Sequence, residues 1–184
     1  KAFVALAKTR KPPLTYASSG NGGTLHLGAE MLKLHAGIDM LHVPYKGASL
    51  AMADVIGGHV DVMFISVPPA IQQVKAGKLR ALGTASLKRA RGLPDVPTFT
   101  ELGYTDFEVD AKYGLVAPAG APRDILNKLS AGVIKASQSA ELRDRYAAIG
   151  LEPLASTPEQ YAEQVRNAIT RWRKVIAAAR IPPQ

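Results

Sequence analysis

The chain has 184 residues, 47% of them hydrophobic and 21% charged, and its mean hydropathy is zero. These values are typical of a globular chain that can bury a sizeable core, and no stretch approaches the roughly 18 apolar residues of a membrane helix. The formal net charge is +8 with no cysteine, so disulfides and cysteine chemistry are excluded. The basic residues are scattered without interleaved aromatic residues, which favours a solvated surface or an attraction for small anions over nucleic-acid binding.

The first predicted elements are a helix end, a strand and a second helix. Residues 1–7 have the pattern of a helix end and show no signal-peptide cleavage pattern, which leads us to expect a truncated or processed chain. An extended segment at residues 14–18 runs into a glycine-rich turn. Apolar residues at helical spacing then predict a helix from about Gly23 to Ala36, with Gly37 as its stop.

The turn at residues 18–24 is a candidate anion site. A strand followed by a tight turn and a helix N-terminus presents unpaired backbone N–H groups at the positive end of a helix dipole. The Walker A and dinucleotide patterns both fail, because Leu25 stands where each requires another residue, and the turn has no lysine. Two interpretations remain open: a loop that binds a small anion, most naturally a carboxylate, or a turn that binds nothing.

Strand and helix patterns continue to alternate after this turn. We predict strands at residues 38–45, 60–65 and 79–85, and helices at residues 48–56 and 70–76. This order favours an α/β fold with a mostly parallel sheet. Because ligands bind beyond the carboxyl ends of such strands, the loops at residues 18–24, 45–48 and 66–69 are expected to converge.

The remainder is predicted to be loop first and then mainly helical. Residues 87–97 are expected to form a loop, residues 98–102 a short helix, and residues 107–109 and 113–116 strands. The proline- and glycine-rich residues 117–122 mark the best boundary. Helices are predicted at residues 122–137, 140–149 and 158–179, the last with a capping Thr157, Pro158 at its first position and Gln160 third.

The four histidines do not predict a metal site. His26 and His35 are nine residues apart, which places them on opposite faces of one helix. No cofactor is expected. His26 adjoins the glycine-rich turn and is interpreted as a core or capping residue. An alternative is a hydrolase in which Ser18 or Ser19 is the nucleophile and His26 the base, although no nearby acid is suggested to orient the base.

Seven short segments carry a resemblance to a known family. The chain resembles the periplasmic solute-binding receptors of tripartite tricarboxylate transporters, the Bug family, and the matching segments follow the family's order along nearly the whole chain. They are YASSGNG at residues 16–22, LHL at 25–27, VPYKG at 43–47, AGKLRAL at 76–82, LPDVPT at 93–98, GL with APAG at 114–120, and STPEQ at 156–160.

The resemblance implies a two-lobed, hinged receptor with the type II periplasmic-binding-protein fold, whose N-terminal part is missing here. Residues 1–14 would end a first-lobe segment, residues 15–113 would form the second lobe, and the helices of residues 114–184 would return to the first lobe. The protein would be a non-enzymatic receptor in the periplasm that delivers a small carboxylate to a membrane transporter or sensor component, without nucleic acid or membrane insertion. The expected ligand-binding residues are Ser18, Ser19, Gly20, Asn21, Gly22, Gly23, Thr24, His26, Tyr45, Lys46, Gly47 and Ser66.

Two departures from the family pattern suggest a more anionic ligand. Ile65 and Ser66 stand where the family often has Asp-Asn, and Lys112 stands where it often has an aromatic residue. A further alternative is a ligand-sensing domain of a transcription regulator. An upstream helix-turn-helix in the full gene would favour that alternative, and a signal peptide would favour the receptor.

Overall fold

The computed structural model describes residues 1–109, 112–148, 151 and 153–182. The chain divides into two compact units, residues 1–111 with 172–184, and residues 112–171. The strands of the first unit are β1 (Leu14–Ser18), β2 (Met40–Pro44) and β3 (Val62–Met63). The helices are α1 (Ala2–Thr9), α2 (Thr24–Ala36), α3 (Ala48–Ile56), α4 (Val67–Lys75), α5 (Arg123–Ser137), α6 (Ala140–Ala148) and α7 (Pro158–Ala178).

The three strands form one parallel sheet in the order β2-β1-β3. In the register of this sheet, Ser18 lies opposite Pro44, and Ala17 lies opposite Met63. The predicted α/β fold with a parallel sheet is therefore confirmed. Because all three strands run the same way, the loops that follow them leave from the same edge.

The sheet separates two apolar clusters, and β1 contributes to both. Leu14 and Tyr16 belong to the larger cluster with α2, whereas Ala17 packs in the smaller one with Ala51 of α3. This alternation follows from the period of two along a strand. Phe107 in the larger cluster is 1% exposed.

Aromatic rings and the end of α7 complete the larger cluster. The ring of Phe107 stacks on Phe99 at 4.2 Å between centroids. Trp172 and Val175, from the last turns of α7 that belong to the first unit, pack against the same cluster. Gly28 of α2 lies against Phe64 and Val109, since a Cβ at this position would come within 3.1 Å of both side chains.

Several predicted elements are absent or differ in the structure. Residues 79–85 do not form a strand, since their only β-pairing is an isolated bridge between Thr84 and Thr98. Residues 98–102 form a turn, not a helix: Glu101 accepts a hydrogen bond from the Thr98 N–H, and Thr98 Oγ1 accepts one from the Glu101 N–H. This reciprocal capping closes only one turn because the chain reverses at Gly103, whose φ is +100°.

Neither of the last two predicted strands is formed. Residues 107–109 and 113–116 have no strand conformation. In the second segment Leu115 is 76% and Val116 is 87% exposed, so their apolar side chains do not pack in a core. Helix α4 begins at Val67, earlier than predicted, because Pro68 and Pro69 are accommodated within its first turn.

The second unit contains α5, α6 and the beginning of α7. The predicted start of α7 is confirmed: the Thr157 N–H donates to Gln160 Oε1 at 2.9 Å, and the Gln160 N–H donates to Thr157 Oγ1 at 3.3 Å. The predicted end of α6 at residue 149 lies outside the described residues, as does residue 152 of the segment between α6 and α7. The assignment of these segments to lobes of a receptor stays a prediction.

Candidate ligand-binding site

The candidate site is built around the loop from Ser19 to Gly23, which joins the end of β1 to α2 and is called the glycine loop below. Gly20 has φ +132° and Gly22 has φ +70°, backbone conformations that residues with a side chain rarely adopt. Gly23 is the N-cap of α2, with extended φ and ψ of −73° and 163° and no side-chain cap. The helix therefore begins without the usual side-chain acceptor for its first N–H groups.

Most of the N–H groups of this segment have no acceptor in the part of the chain that the structure describes. Among the described residues, no hydrogen bond engages the backbone N–H groups of Ser19, Asn21, Gly23, Thr24 and Leu25. The other two loop N–H groups bind side chains of the site itself: Gly20 donates to Ser18 Oγ at 3.2 Å, and Gly22 donates to His26 Nδ1 at 3.0 Å. The loop thus offers several free donors at the positive end of α2, which is an arrangement suited to an anion.

Ser18 and His26 lie beneath the glycine loop. Ser18 is 0% exposed, and its Oγ lies 3.0 Å from the Gly20 carbonyl oxygen and 2.7 Å from His42 Nε2. The hydrolase alternative, in which Ser18 or Ser19 pairs with His26, is not supported, because His26 Nδ1 accepts the Gly22 N–H and Ser18 Oγ lies against His42 instead. Glu30, the carboxylate of this cluster, is bonded to Tyr16 and Lys33 and does not orient an imidazole base.

His42 is the residue of the site that sequence reasoning missed. It lies directly opposite Tyr16 in the β1–β2 register, so the two side chains project from the same face of the sheet. The three rings form a stack, with centroids 4.8 Å apart for Tyr16 and His42 and 4.0 Å apart for His42 and His26. The sequence could have revealed this contact if residues 14–18 and 40–44 had been paired as parallel strands, because that register places His42 opposite Tyr16.

The stack favours neutral imidazoles. Burial, followed by the neighbouring His26, lowers the pKa of His42 from 6.5 to about 4. Burial also lowers the pKa of His26, although the negative charge of Glu30 opposes this effect. Burial and the hydrogen bond to Glu30, 2.5 Å long, raise the pKa of the Tyr16 phenol. Both histidines are therefore uncharged near neutral pH, and neither supplies a positive charge to the loop.

The loop after β2 adjoins the glycine loop. The Tyr45 N–H donates to the Ser18 carbonyl oxygen at 3.0 Å, and a Cβ at Gly20 would lie 3.8 Å from the Tyr45 carbonyl oxygen. The Tyr45 hydroxyl donates to Asp54 Oδ2 at 2.6 Å, and this hydrogen bond raises the pKa of the phenol. Lys46 is exposed, and Gly47, with φ +136°, is the N-cap of α3. The structure thus brings the first two predicted loops together.

The third predicted loop, at residues 66–69, lies at the same edge of the sheet but has fewer backbone N–H groups that can donate hydrogen bonds. Ser66 is the exposed N-cap of α4, three residues beyond β3. Pro68 and Pro69 occupy the first turn of α4 and have no N–H. The backbone of this helix start therefore offers fewer donors than α2, so its contribution would come mainly from the Ser66 hydroxyl. Within the described residues there is no group of three or more metal-ligating side chains.

The comparisons with known proteins agree with these features. Residues 1–181 match the family described as the tripartite tricarboxylate transporter family receptor, TctC. The chain belongs to this family. It is 36% identical over 180 residues to the UPF0065 protein in the tcbD-tcbE intergenic region of Pseudomonas sp. strain P51, covering 97% of this chain and 54% of that protein. The chain thus spans about half the length of this curated relative.

Three solved structures related to this TctC-family chain show the same fold. Rpa4515 of R. palustris with adipate has a TM-score of 0.89 at 30% identity, covering 99% of this chain and 61% of that one. The periplasmic binding protein BugD has a TM-score of 0.85 at 32% identity, covering 99% and 62%. MatC (Rpa3494) from Rhodopseudomonas palustris with bound malate has a TM-score of 0.79 at 32% identity, covering 95% and 60%.

These neighbours confirm both the resemblance to the Bug receptors and the periplasmic-binding-protein-like fold. None of the helices in the described part of the chain is both long and apolar enough to cross a membrane.

Proposed function

We propose that this chain is part of a periplasmic receptor that captures a small carboxylate, such as a dicarboxylate or tricarboxylate, and delivers it to a membrane transporter or sensor component without chemical turnover. Two related structures contain adipate and malate, both dicarboxylates. We extend that ligand class to this chain because its glycine loop presents unpaired N–H groups that suit an anion.

The observation that carries this proposal is the set of unpaired N–H groups at the start of α2. A carboxylate is an acceptor with two oxygens and about four lone-pair sites, so it can use several of these donors at once. Hydrogen bonds to a charged acceptor are stronger than those between neutral groups. The loop has no lysine or arginine between Ser18 and Thr24, which suits a singly charged carboxylate group better than a polyphosphate.

The residues around the loop support the same ligand. We propose that Ser19, Gly20, Asn21, Gly22, Gly23 and Thr24 form the binding surface, with Ser18 and His26 beneath it. Tyr45, Lys46 and Gly47 would extend this surface, and the exposed Lys46 ammonium could pair with a second carboxylate. Ser66 would contribute a hydroxyl. The hydrolase alternative has no comparable support, because the Ser18 side chain is 0% exposed.

A single N–H group can be removed without breaking the helix. Thr24 is the first residue of α2 and Gly23 is already extended, so Thr24→Pro fits this backbone. The loss of one donor to a carboxylate is expected to weaken binding roughly 10- to 100-fold. Thr24→Ala is the matched control, since it keeps the N–H group and removes only the side chain.

The measurement is isothermal titration of the gene's full-length product with adipate, malate and a tricarboxylate. We expect one of these acids to bind to the wild-type protein, Thr24→Pro to bind it more weakly, and Thr24→Ala to bind it almost normally. Equal affinity of Thr24→Pro and Thr24→Ala would show that the N–H groups of α2 do not hold the ligand. Folded wild-type protein that binds no acid would remove the receptor proposal.

A further inference from the structure

Two histidines from different elements meet face to face under the glycine loop. His26 comes from the first turn of α2, and His42 comes from β2. Their ring centroids are 4.0 Å apart with planes inclined by 8°. One ring bonds the loop directly and the other through Ser18, which precedes it: His26 Nδ1 accepts the Gly22 N–H, and His42 Nε2 lies 2.7 Å from Ser18 Oγ.

These contacts determine where the imidazole protons lie. His26 Nδ1 must be bare to accept the Gly22 N–H, so the neutral ring carries its proton on Nε2. Ser18 Oγ accepts the Gly20 N–H and has one proton to donate. The arrangement that satisfies all its contacts has Ser18 donating to the Gly20 carbonyl oxygen while His42 Nε2–H donates to Ser18 Oγ.

We propose that His26 and His42 are positioning residues for ligand binding: as a neutral stacked pair, they hold the backbone at Gly22 and Gly20 so that the remaining N–H groups of the glycine loop face the carboxylate. This proposal rests on the proposed function of the loop as a carboxylate site. The two histidines do not touch the ligand. They fix the orientation of peptide groups that would otherwise rotate freely at glycines with positive φ.

Protonation of the stacked histidines in acid should break the hydrogen bond to the loop, so that the loop backbone is held less firmly. Protonation of His26 places a proton on Nδ1, opposite the Gly22 N–H, so that this hydrogen bond is lost. The groups that face the pair are the Tyr16 ring, whose centroid is 4.8 Å from that of His42 and 6.1 Å from that of His26, and Glu30 and Lys33 of α2, whose charges act in opposite directions. The carboxylate ligand also gains protons in acid, so a positioning role predicts that affinity falls more steeply with acidity in wild type than in variants that lack these imidazoles. Direct charge attraction from the histidines would instead make the affinity rise.

Conservative variants separate positioning from packing. His26→Asn keeps an acceptor near the Nδ1 position, and His42→Gln keeps an amide near the Nε2 position. His26→Leu and His42→Leu remove these groups. We expect the leucine variants to bind adipate, the probe, about tenfold more weakly than wild type, and the amide variants to recover most of this loss. His59→Leu is the control, since His59 is exposed and lies outside the stack.

The full-length protein is titrated with adipate at neutral and mildly acidic pH, and its imidazole nitrogens are observed by ¹H–¹⁵N NMR without ligand. Leucine variants that bind as tightly as wild type, amide variants as weak as the leucine variants, or affinity that rises with acidity would each overturn the positioning role. The NMR measurement does not depend on binding. If adipate fails to bind to wild type, an unprotonated Nδ1 on His26 with a protected Gly22 amide still supports the proposal that His26 holds the Gly22 backbone, and a proton on Nδ1 overturns it.

Discussion

Acidification should destabilise the folded protein through the stacked histidines. Burial, reinforced by His26, lowers the pKa of His42 from 6.5 to about 4 in the folded chain. Between these values the unfolded chain binds a proton that the folded chain does not, so the free energy of unfolding increases with pH across this window. The stabilising contribution is fully present above the unfolded pKa of 6.5 and is lost as the pH falls towards about 4.

The magnitude follows from the width of the window. The pKa of His42 falls from 6.5 to about 4, and at about 1.4 kcal/mol per pH unit this corresponds to a ceiling of about 3.5 kcal/mol. His42 is only partly buried, so solvent screening reduces the expected loss to about 1–2 kcal/mol. His26 adds a loss of the same sign, because its pKa is also lowered.

The assay is urea unfolding of the full-length protein at several pH values from about 7 to about 4.5. Wild type should lose about 1–2 kcal/mol more over this range than His42→Gln, which cannot titrate there. His59→Gln, which removes an exposed histidine outside the stack, should follow wild type. Parallel profiles for wild type and His42→Gln, or stability that increases in acid, would refute this account of the pair.

Three substitutions test other contacts. Tyr16→Phe removes the donor 2.5 Å from Glu30 Oε1 and should lower the free energy of unfolding by about 1–3 kcal/mol in urea, whereas no loss would mean that Lys33 alone satisfies the carboxylate. Phe107→Ala should cost about 3–5 kcal/mol in the same assay because the ring is buried, and a cost below about 1 kcal/mol would contradict its place in the core. Thr157→Ala should lower the free energy of unfolding by about 1 kcal/mol and increase amide exchange in the first turn of α7. Thr157→Ser should restore both quantities, and unchanged exchange in Thr157→Ala would argue against the cap.

Elements with strong local signals were predicted closely from the sequence. β1 (Leu14–Ser18) and α3 (Ala48–Ile56) have the predicted bounds. Gly47 and Gly57 flank α3. Flanking glycines mark the ends of a helix through neighbouring residues alone, so these bounds can be predicted without knowledge of the tertiary structure. The glycine loop also follows from local sequence, because its glycines occur where the backbone takes a positive φ at Gly20 and Gly22.

Predictions failed where a strand needed a distant partner. Residues 79–85 and 113–116 have apolar patterns typical of strands, yet the first forms only a bridge and the second is exposed. A strand exists only when another strand offers its N–H and C=O groups, and propensity alone cannot supply that partner. The helix predicted at residues 98–102 is not formed for a related reason. Thr98 and Glu101 make the reciprocal hydrogen bonds of a helix N-terminus, but the chain does not continue as a helix.

The sequence by itself determined the fold class and the family, because both depend on local pattern or on ordered motifs. It also predicted the glycine loop as an anion site. Only the tertiary structure decided what lies under that loop. Ser18 and His42 are 24 residues apart, and they meet because β1 and β2 pair in parallel with Tyr16 opposite His42. His26 joins them through the packing of α2 on the same face. Register and helix packing are long-range properties, and so the histidine pair that holds the glycine loop was not predicted from the motifs alone.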